Sequence, residues 1–126
     1  KINEEVNFLI TDAGMQTLLR PAMYDAYHNI VALSDNGNKK DYTIAGPICE
    51  SSDILAKKIS LPEQQTGNYL AICDTGAYGA VMSSNYNTKG LPAEILIHKN
   101  RFAIIRNNEN ISTIIARDKI PEWLKN

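Results

Sequence analysis

The chain lacks the usual sequence devices for holding a metal or a nucleotide. It has two histidines, His28 and His98, and two cysteines, Cys49 and Cys73. There is no Cys-x-x-Cys pair and no His-Glu-x-x-His motif, so a zinc site lacks its ligands. A Walker loop, a Gly-x-Gly-x-x-Gly turn and a nucleophile-elbow serine are missing too, which argues against common nucleotide-binding and serine-hydrolase readings. No apolar run approaches the ~20 residues that span a bilayer, and the start carries no signal-peptide pattern. Thirteen Lys and Arg against fourteen Asp and Glu, scattered along the chain, leave no basic footprint for nucleic acid. Internal repeats and low-complexity segments are also absent.

What is present suits a packed globular domain. Hydrophobic content of 44% with 21% charged residues supports a real core rather than disorder, and 126 residues fit one domain. Without a dense cysteine framework, Cys49 and Cys73 read as reduced thiols, with a cytoplasmic location expected. The first residue is Lys1 rather than methionine and a strand-like run follows almost at once, so the chain is expected to be a piece of something longer.

The pattern is one of short strands between Gly, Asn and Pro turns. Val6–Ile10 reads as a buried strand stopped by Thr11-Asp12-Ala13-Gly14. Met15–Arg20 has room for about one helical turn before Pro21. Ile30–Leu33 is a second strand, followed by the strong turn signal Asp35-Asn36-Gly37-Asn38. Tyr42–Ala45 and Tyr69–Cys73 follow as strands, each running into a glycine break. Glu94–His98 and Arg101–Ile105 flank Lys99-Asn100 as a hairpin, with Asn100 suited to positive φ, and Ile111–Ala116 reads as a short terminal helix. Little helix between short strands predicts a mainly β domain, an antiparallel sandwich or barrel.

Three segments carry chemistry. In Gly46-Pro47-Ile48-Cys49-Glu50-Ser51-Ser52-Asp53 a thiol able to move a proton stands beside a carboxylate able to hold an ammonium group. The same pair also reads as a buried small hydrophobe next to a solvated charge, and the usual burial of free cysteines favours that second reading. Arg20 and Tyr24 are four apart and share a face if the segment coils, which would suit a carboxylate clamp. A surface arginine lying over Tyr24 is the equal alternative. Tyr78 stands in a glycine-flanked break, Gly76-Ala77-Tyr78-Gly79, as an exposed hydroxyl or a packed turn tyrosine. Cys73, inside an apolar strand, reads as packing. Met82–Asn87 is polar and turn-rich, its side chains suited to capping backbone groups.

Taken in order, these segments resemble the diaminopimelate decarboxylase family. The match runs through Asp12-Ala13-Gly14-Met15, Leu19-Arg20-Pro21-Ala22-Met23-Tyr24-Asp25-Ala26-Tyr27-His28 and the 46–53 segment. It continues with Gly76-Ala77-Tyr78-Gly79, Met82–Asn87 and Pro92-Ala93-Glu94, from about Phe8 to Arg106. Ala80 departs from a position where the family commonly has an aromatic residue, and Thr75 from one where it has alanine.

The resemblance implies the C-terminal β-domain, residues 1–126, of a two-domain enzyme dependent on pyridoxal phosphate. The family's N-terminal α/β barrel supplies the cofactor lysine and most of the phosphate site. It implies a head-to-tail homodimer with shared active sites and a small amino-acid substrate, meso-diaminopimelate, converted to L-lysine. Cys49 is implied as the proton donor and Glu50 as the partner of the substrate's distal ammonium. Arg20 and Tyr24 are implied to hold its distal carboxylate, and Tyr78 to contact substrate and cofactor. On this reading the chain alone is inactive. The rivals are a sister decarboxylase for ornithine, arginine or a carboxylated polyamine, and a non-catalytic β-domain used for dimerisation.

Overall fold

The alternation of Tyr42 and Ile44 with polar neighbours sets the inner face of the central strand, because successive strand residues point to opposite sides. The structure, a computed structural model, describes residues 2–3 and 6–125. The strands are β1 (Ile2–Asn3), β2 (Val6–Ile10), β3 (Ile30–Ala32), β4 (Lys39–Ala45), β5 (Ile54–Pro62), β6 (Leu70–Ile72), β7 (Glu94–His98) and β8 (Arg101–Arg106). The short α-helices among the described residues are α1 (Arg20–Tyr24), α2 (Gly76–Gly79) and, after the last strand, α3 (Ile111–Ile115). The mainly β expectation is met.

The chain divides into two compact units, residues 1–83 and 84–126. In the first, β1, β2, β4 and β5 form a four-stranded sheet in that order, and β3 pairs with β6. The β2–β4 pair is parallel, from Asn7 opposite Tyr42 to Ile10 opposite Ala45, where an antiparallel arrangement was expected. Residues 11–38 provide the long crossover that parallel neighbours require. The core gathers Leu18, Ile30, Tyr42, Ile44, Leu55 and Leu61, with Leu9, Ile59, Leu70 and Ile72 packed against it.

Several elements depart from expectation for local reasons. β2 keeps its expected bounds but is half-buried, with Val6 and Ile10 exposed; Leu9 packs against the core while Asn7 to Ile10 also border an open cavity. Met15–Arg20 makes the expected single turn, the Leu18 N–H donating to the Gly14 carbonyl at 2.9 Å, and a further helix, α1, follows from Arg20. Pro21 sits in its first turn, where the missing N–H has no intrahelical acceptor to lose. Asp25 closes α1 in the left-handed region at φ 55°, its N–H donating to the Pro21 carbonyl at 3.1 Å. β5 escapes sequence reading altogether, since Lys57-Lys58 interrupts its apolar alternation. Asp35–Asn38 turns as expected, with Gly37 at φ 82° and its N–H on Asp35 Oδ1 at 2.8 Å.

The second unit holds the β7–β8 hairpin, α3, and short 3-10 turns at Tyr86–Thr88 and Glu122–Leu124. The two-residue hairpin connection is as expected, but Lys99 rather than Asn100 takes positive φ, at 52°. α3 is capped by Asn110, whose side chain accepts the Thr113 N–H at 2.9 Å. Glu109 organises this unit by pairing with Arg117 and accepting from Asn85 Nδ2 at 2.5 Å. Asn85 also donates to the Lys89 carbonyl at 3.0 Å, the capping use expected of the polar stretch.

Candidate functional site

Residues 46–53 form a loop closed on itself by its last residue. Asp53 is 2% exposed, and its Oδ2 accepts the Ile48 N–H at 2.8 Å. Its main chain accepts from Gly46 N–H at 3.0 Å and donates to the Glu50 carbonyl at 3.1 Å. Oδ1 accepts the Met15 N–H at 2.7 Å, tying this loop to the segment that leads into α1. Gly14 and Gly46 make room for the carboxylate. A Cβ on Gly14 would stand 2.7 Å from Asp53 Oδ1, and one on Gly46 would strike both carboxylate oxygens. Ile48 anchors the loop by burial of its side chain.

That frame presents Cys49 and Glu50 outward. Cys49 is a free, exposed thiol, so the expectation of a buried small hydrophobe is overturned. The loop spends its burial on Ile48 and Asp53, and the four residues between them face solvent. Glu50 is also exposed. Its carboxyl is held below the usual 4.5, first by the Ser52 backbone N–H and then by the Ser51 hydroxyl. Two of these hydrogen bonds fall on Oε1, from the Ser52 N–H at 3.4 Å and the Ser51 hydroxyl at 3.3 Å.

α1 does coil, and it carries Arg20 at its first position and Tyr24 at its last. Arg20 is half-buried and Tyr24 is 62% exposed. The guanidinium lies over Tyr78, 5.9 Å from the ring centroid, rather than over Tyr24. Such a contact is electrostatic attraction to the negative face of the ring. Tyr78 stands on α2 and is 58% exposed.

Arg20 and Tyr78 are therefore brought together, and Cys49 stands beside Glu50. Among the described residues no hydrogen bond, ion pair or ring contact joins these two groups. A cavity of about 530 Å³ lies between α1 and β5, bordered by Pro21, Asp25, Ser51 and Ser52. It links the α1 segment to the residues just after Glu50. A larger cavity, about 690 Å³, lies between β2, β6 and the turn at residues 64–68, and none of the five candidates lines it.

Two residues escaped the sequence reading. Asp53 was visible only as the end of a motif. Its role depends on Met15, 38 positions away, which no local pattern reveals. His28 is the second. It is 3% exposed, and its Nδ1 lies 3.1 Å from the Cys73 carbonyl. Its Nε2 is buried without a partner among the described residues. With the Cys73 N–H on the Asn29 carbonyl at 2.8 Å, it fastens the segment after α1 to the strand end that precedes Tyr78.

Residues 1–76 match the family described as pyridoxal-dependent decarboxylase, C-terminal sheet domain. That span contains Arg20, Tyr24, Cys49 and Glu50, and ends just before Tyr78. The chain is 43% identical over 120 residues to a diaminopimelate decarboxylase of Archaeoglobus fulgidus, covering 94% of this chain and 29% of that protein. It is 44% identical over 118 residues to one from Haemophilus influenzae, covering 92% of this chain and 28% of that protein. The crystal structure of the diaminopimelate decarboxylase from M. jannaschii in co-complex with L-lysine is similar at TM-score 0.95 and 40% identity. That match covers 98% of this chain and 29% of that one. The chain thus spans under a third of the length of these relatives.

Proposed function

Given that this chain belongs to the pyridoxal-dependent decarboxylases, as their C-terminal sheet domain, we propose that the longer protein containing it converts meso-diaminopimelate to L-lysine and carbon dioxide. Residues 1–126 act there as a single C-terminal domain beside a cofactor-binding barrel. The observation that carries the reading is the open half-site: a thiol and a carboxylate held outward on a clamped loop, within a chain similar to named diaminopimelate decarboxylases.

Each side chain has work suited to its chemistry. Cys49 delivers a proton from Sγ to the carbon that loses carbon dioxide, the task of a positioned general acid. Glu50 offers its exposed carboxylate to the substrate's distal ammonium and stays ionised at neutral pH. Arg20 and Tyr24 hold the distal carboxylate, the arginine as a bidentate fork. This pairing of a cation acceptor with an anion clamp favours a substrate with a second amino-acid centre over ornithine or arginine.

The residues present fit pyridoxal phosphate at its edge. The exposed phenol of Tyr78 can donate to the cofactor. When bound, the cofactor supplies the electron sink for decarboxylation. Cys49, Glu50 and Tyr24 all lie exposed, which supports closure by a second surface, that of a partner subunit in a homodimer with shared sites.

The test is lysine formation by the purified full-length protein with pyridoxal phosphate, given meso-diaminopimelate in competition with ornithine and arginine. Lysine from diaminopimelate alone is expected. Turnover of ornithine or arginine instead would overturn the substrate, and no turnover of any of them would favour a non-catalytic module.

A further inference from the structure

We infer that Asp53 is a positioning residue for catalysis, setting the Cys49 thiol and Glu50 carboxylate in register with the arginine arm; this rests on the decarboxylase reading above. The two residues flanking Cys49 are both bonded to Asp53. The Ile48 N–H donates to its carboxylate at 2.8 Å, and the Glu50 carbonyl accepts its N–H at 3.1 Å. Cys49 therefore has little backbone freedom of its own, although its side chain is exposed. The other carboxylate oxygen holds the Met15 N–H at 2.7 Å, and Met15 lies five residues before Arg20. One buried carboxylate is thus a common reference for the proton donor and for the anion clamp.

The fit around it is specific to a carboxylate. Both oxygens are used, each by an N–H from a different segment, so an amide in its place would turn an NH₂ toward one of those donors. The missing Cβ atoms of Gly14 and Gly46 leave the space that the carboxylate fills, so the group is built in from both sides. No Lys, Arg or His pairs with it among the described residues, and its charge is met by main-chain N–H dipoles alone. A misplacement of ~1 Å at a reacting group costs on the order of 10²-fold in rate. Loosening this clamp therefore harms turnover through Cys49, without Asp53 touching the substrate.

The experiment is a double-mutant cycle in the full-length enzyme with Cys49→Ala, Asp53→Asn and both together, reading kcat, KM and the thermal midpoint. Asp53→Asn is expected to lower kcat by about 10- to 100-fold with the cysteine present. With Cys49→Ala already in place the loss in kcat should be less than about 3-fold, since the proton donor it positions is gone, while the effect through Glu50 and the arginine arm persists as a raised KM in both backgrounds. A purely structural Asp53 lowers the folded fraction equally in both backgrounds, so equal losses overturn the role, as does unchanged kcat. Asp53→Ser, which keeps one acceptor and meets neither glycine, is carried in parallel in case the asparagine variant does not fold. If Cys49→Ala itself leaves turnover unchanged, the proton-donor reading falls, and the positioning role with it. A slowed Cys49→Ala enzyme with additive Asp53→Asn overturns the positioning role alone.

Discussion

At the scale of single residues, the chemistry depends on how Glu50 is held. Its carboxyl titrates below 4.5 because Ser52 and then Ser51 donate to it. A depressed carboxyl contributes fully above its unfolded value, and that contribution fades only as pH falls through the lower native one. The advantage of the parent enzyme over Glu50→Gln, measured as kcat/KM for a substrate with a distal ammonium, should therefore be constant from pH 8 to about 5.5. That advantage is expected to be about 10- to 100-fold, the scale of a hydrogen bond to a charged group. A ratio that decays between pH 7 and 5.5 would place the titration higher and remove the serines as its cause. Residue chemistry in the sequence pointed to Cys49 and Glu50 as a pair, yet favoured a buried cysteine. Exposure was the missing fact, and exposure is set by which neighbours the loop buries.

Among the elements, β5 shows how local strain shapes a strand. Tyr42 faces Ile59 while Ile44 faces Ala56, so Lys57 and Lys58 together oppose Thr43. This is a bulge, and Lys58 carries it at φ 53°. The left-handed region costs a non-glycine residue roughly 1 kcal/mol or more, and most for a β-branched one. Lys58→Gly should hold or raise stability, the relief of strain offsetting the freer unfolded chain. Lys58→Val should lower it by about 1 kcal/mol. Urea unfolding of the two variants beside the parent protein checks the order, and a valine variant as stable as the glycine one would rule out strain at this bulge. The two lysines that make the bulge also hid the strand from the sequence. By contrast β4, the hairpin and α3 were legible, because their alternation, turn residues and cap act within a few positions.

For the whole molecule, the open half-site leads to a test of assembly. If Cys49 serves a partner's site, subunits with Cys49→Ala mixed with subunits lacking the barrel lysine should regain activity. Random pairing gives about half mixed dimers, each with one intact site, hence about a quarter of sites overall. Activity of the mixture after joint refolding measures this, and no recovery would put the cysteine in its own subunit's site. The second unit carries apolar side chains on both faces of β7–β8, with Ile97 paired to Phe102 and both largely exposed. A two-stranded ribbon of this kind is marginal alone in water and gains from packing against a further surface.

The sequence by itself determined the mainly β character, most strand and turn positions and the chemical identity of the five candidate residues. Those properties follow from short-range rules: side-chain alternation, turn chemistry and the functional groups carried at each position. Tertiary structure decided the rest. It made β2 and β4 parallel across residues 11–38, laid Arg20 on Tyr78 instead of Tyr24, and used Asp53 to fasten the Cys49 loop to Met15. Each of these joins segments far apart in the chain, and their meeting depends on how the whole core packs, which no local window of residues contains.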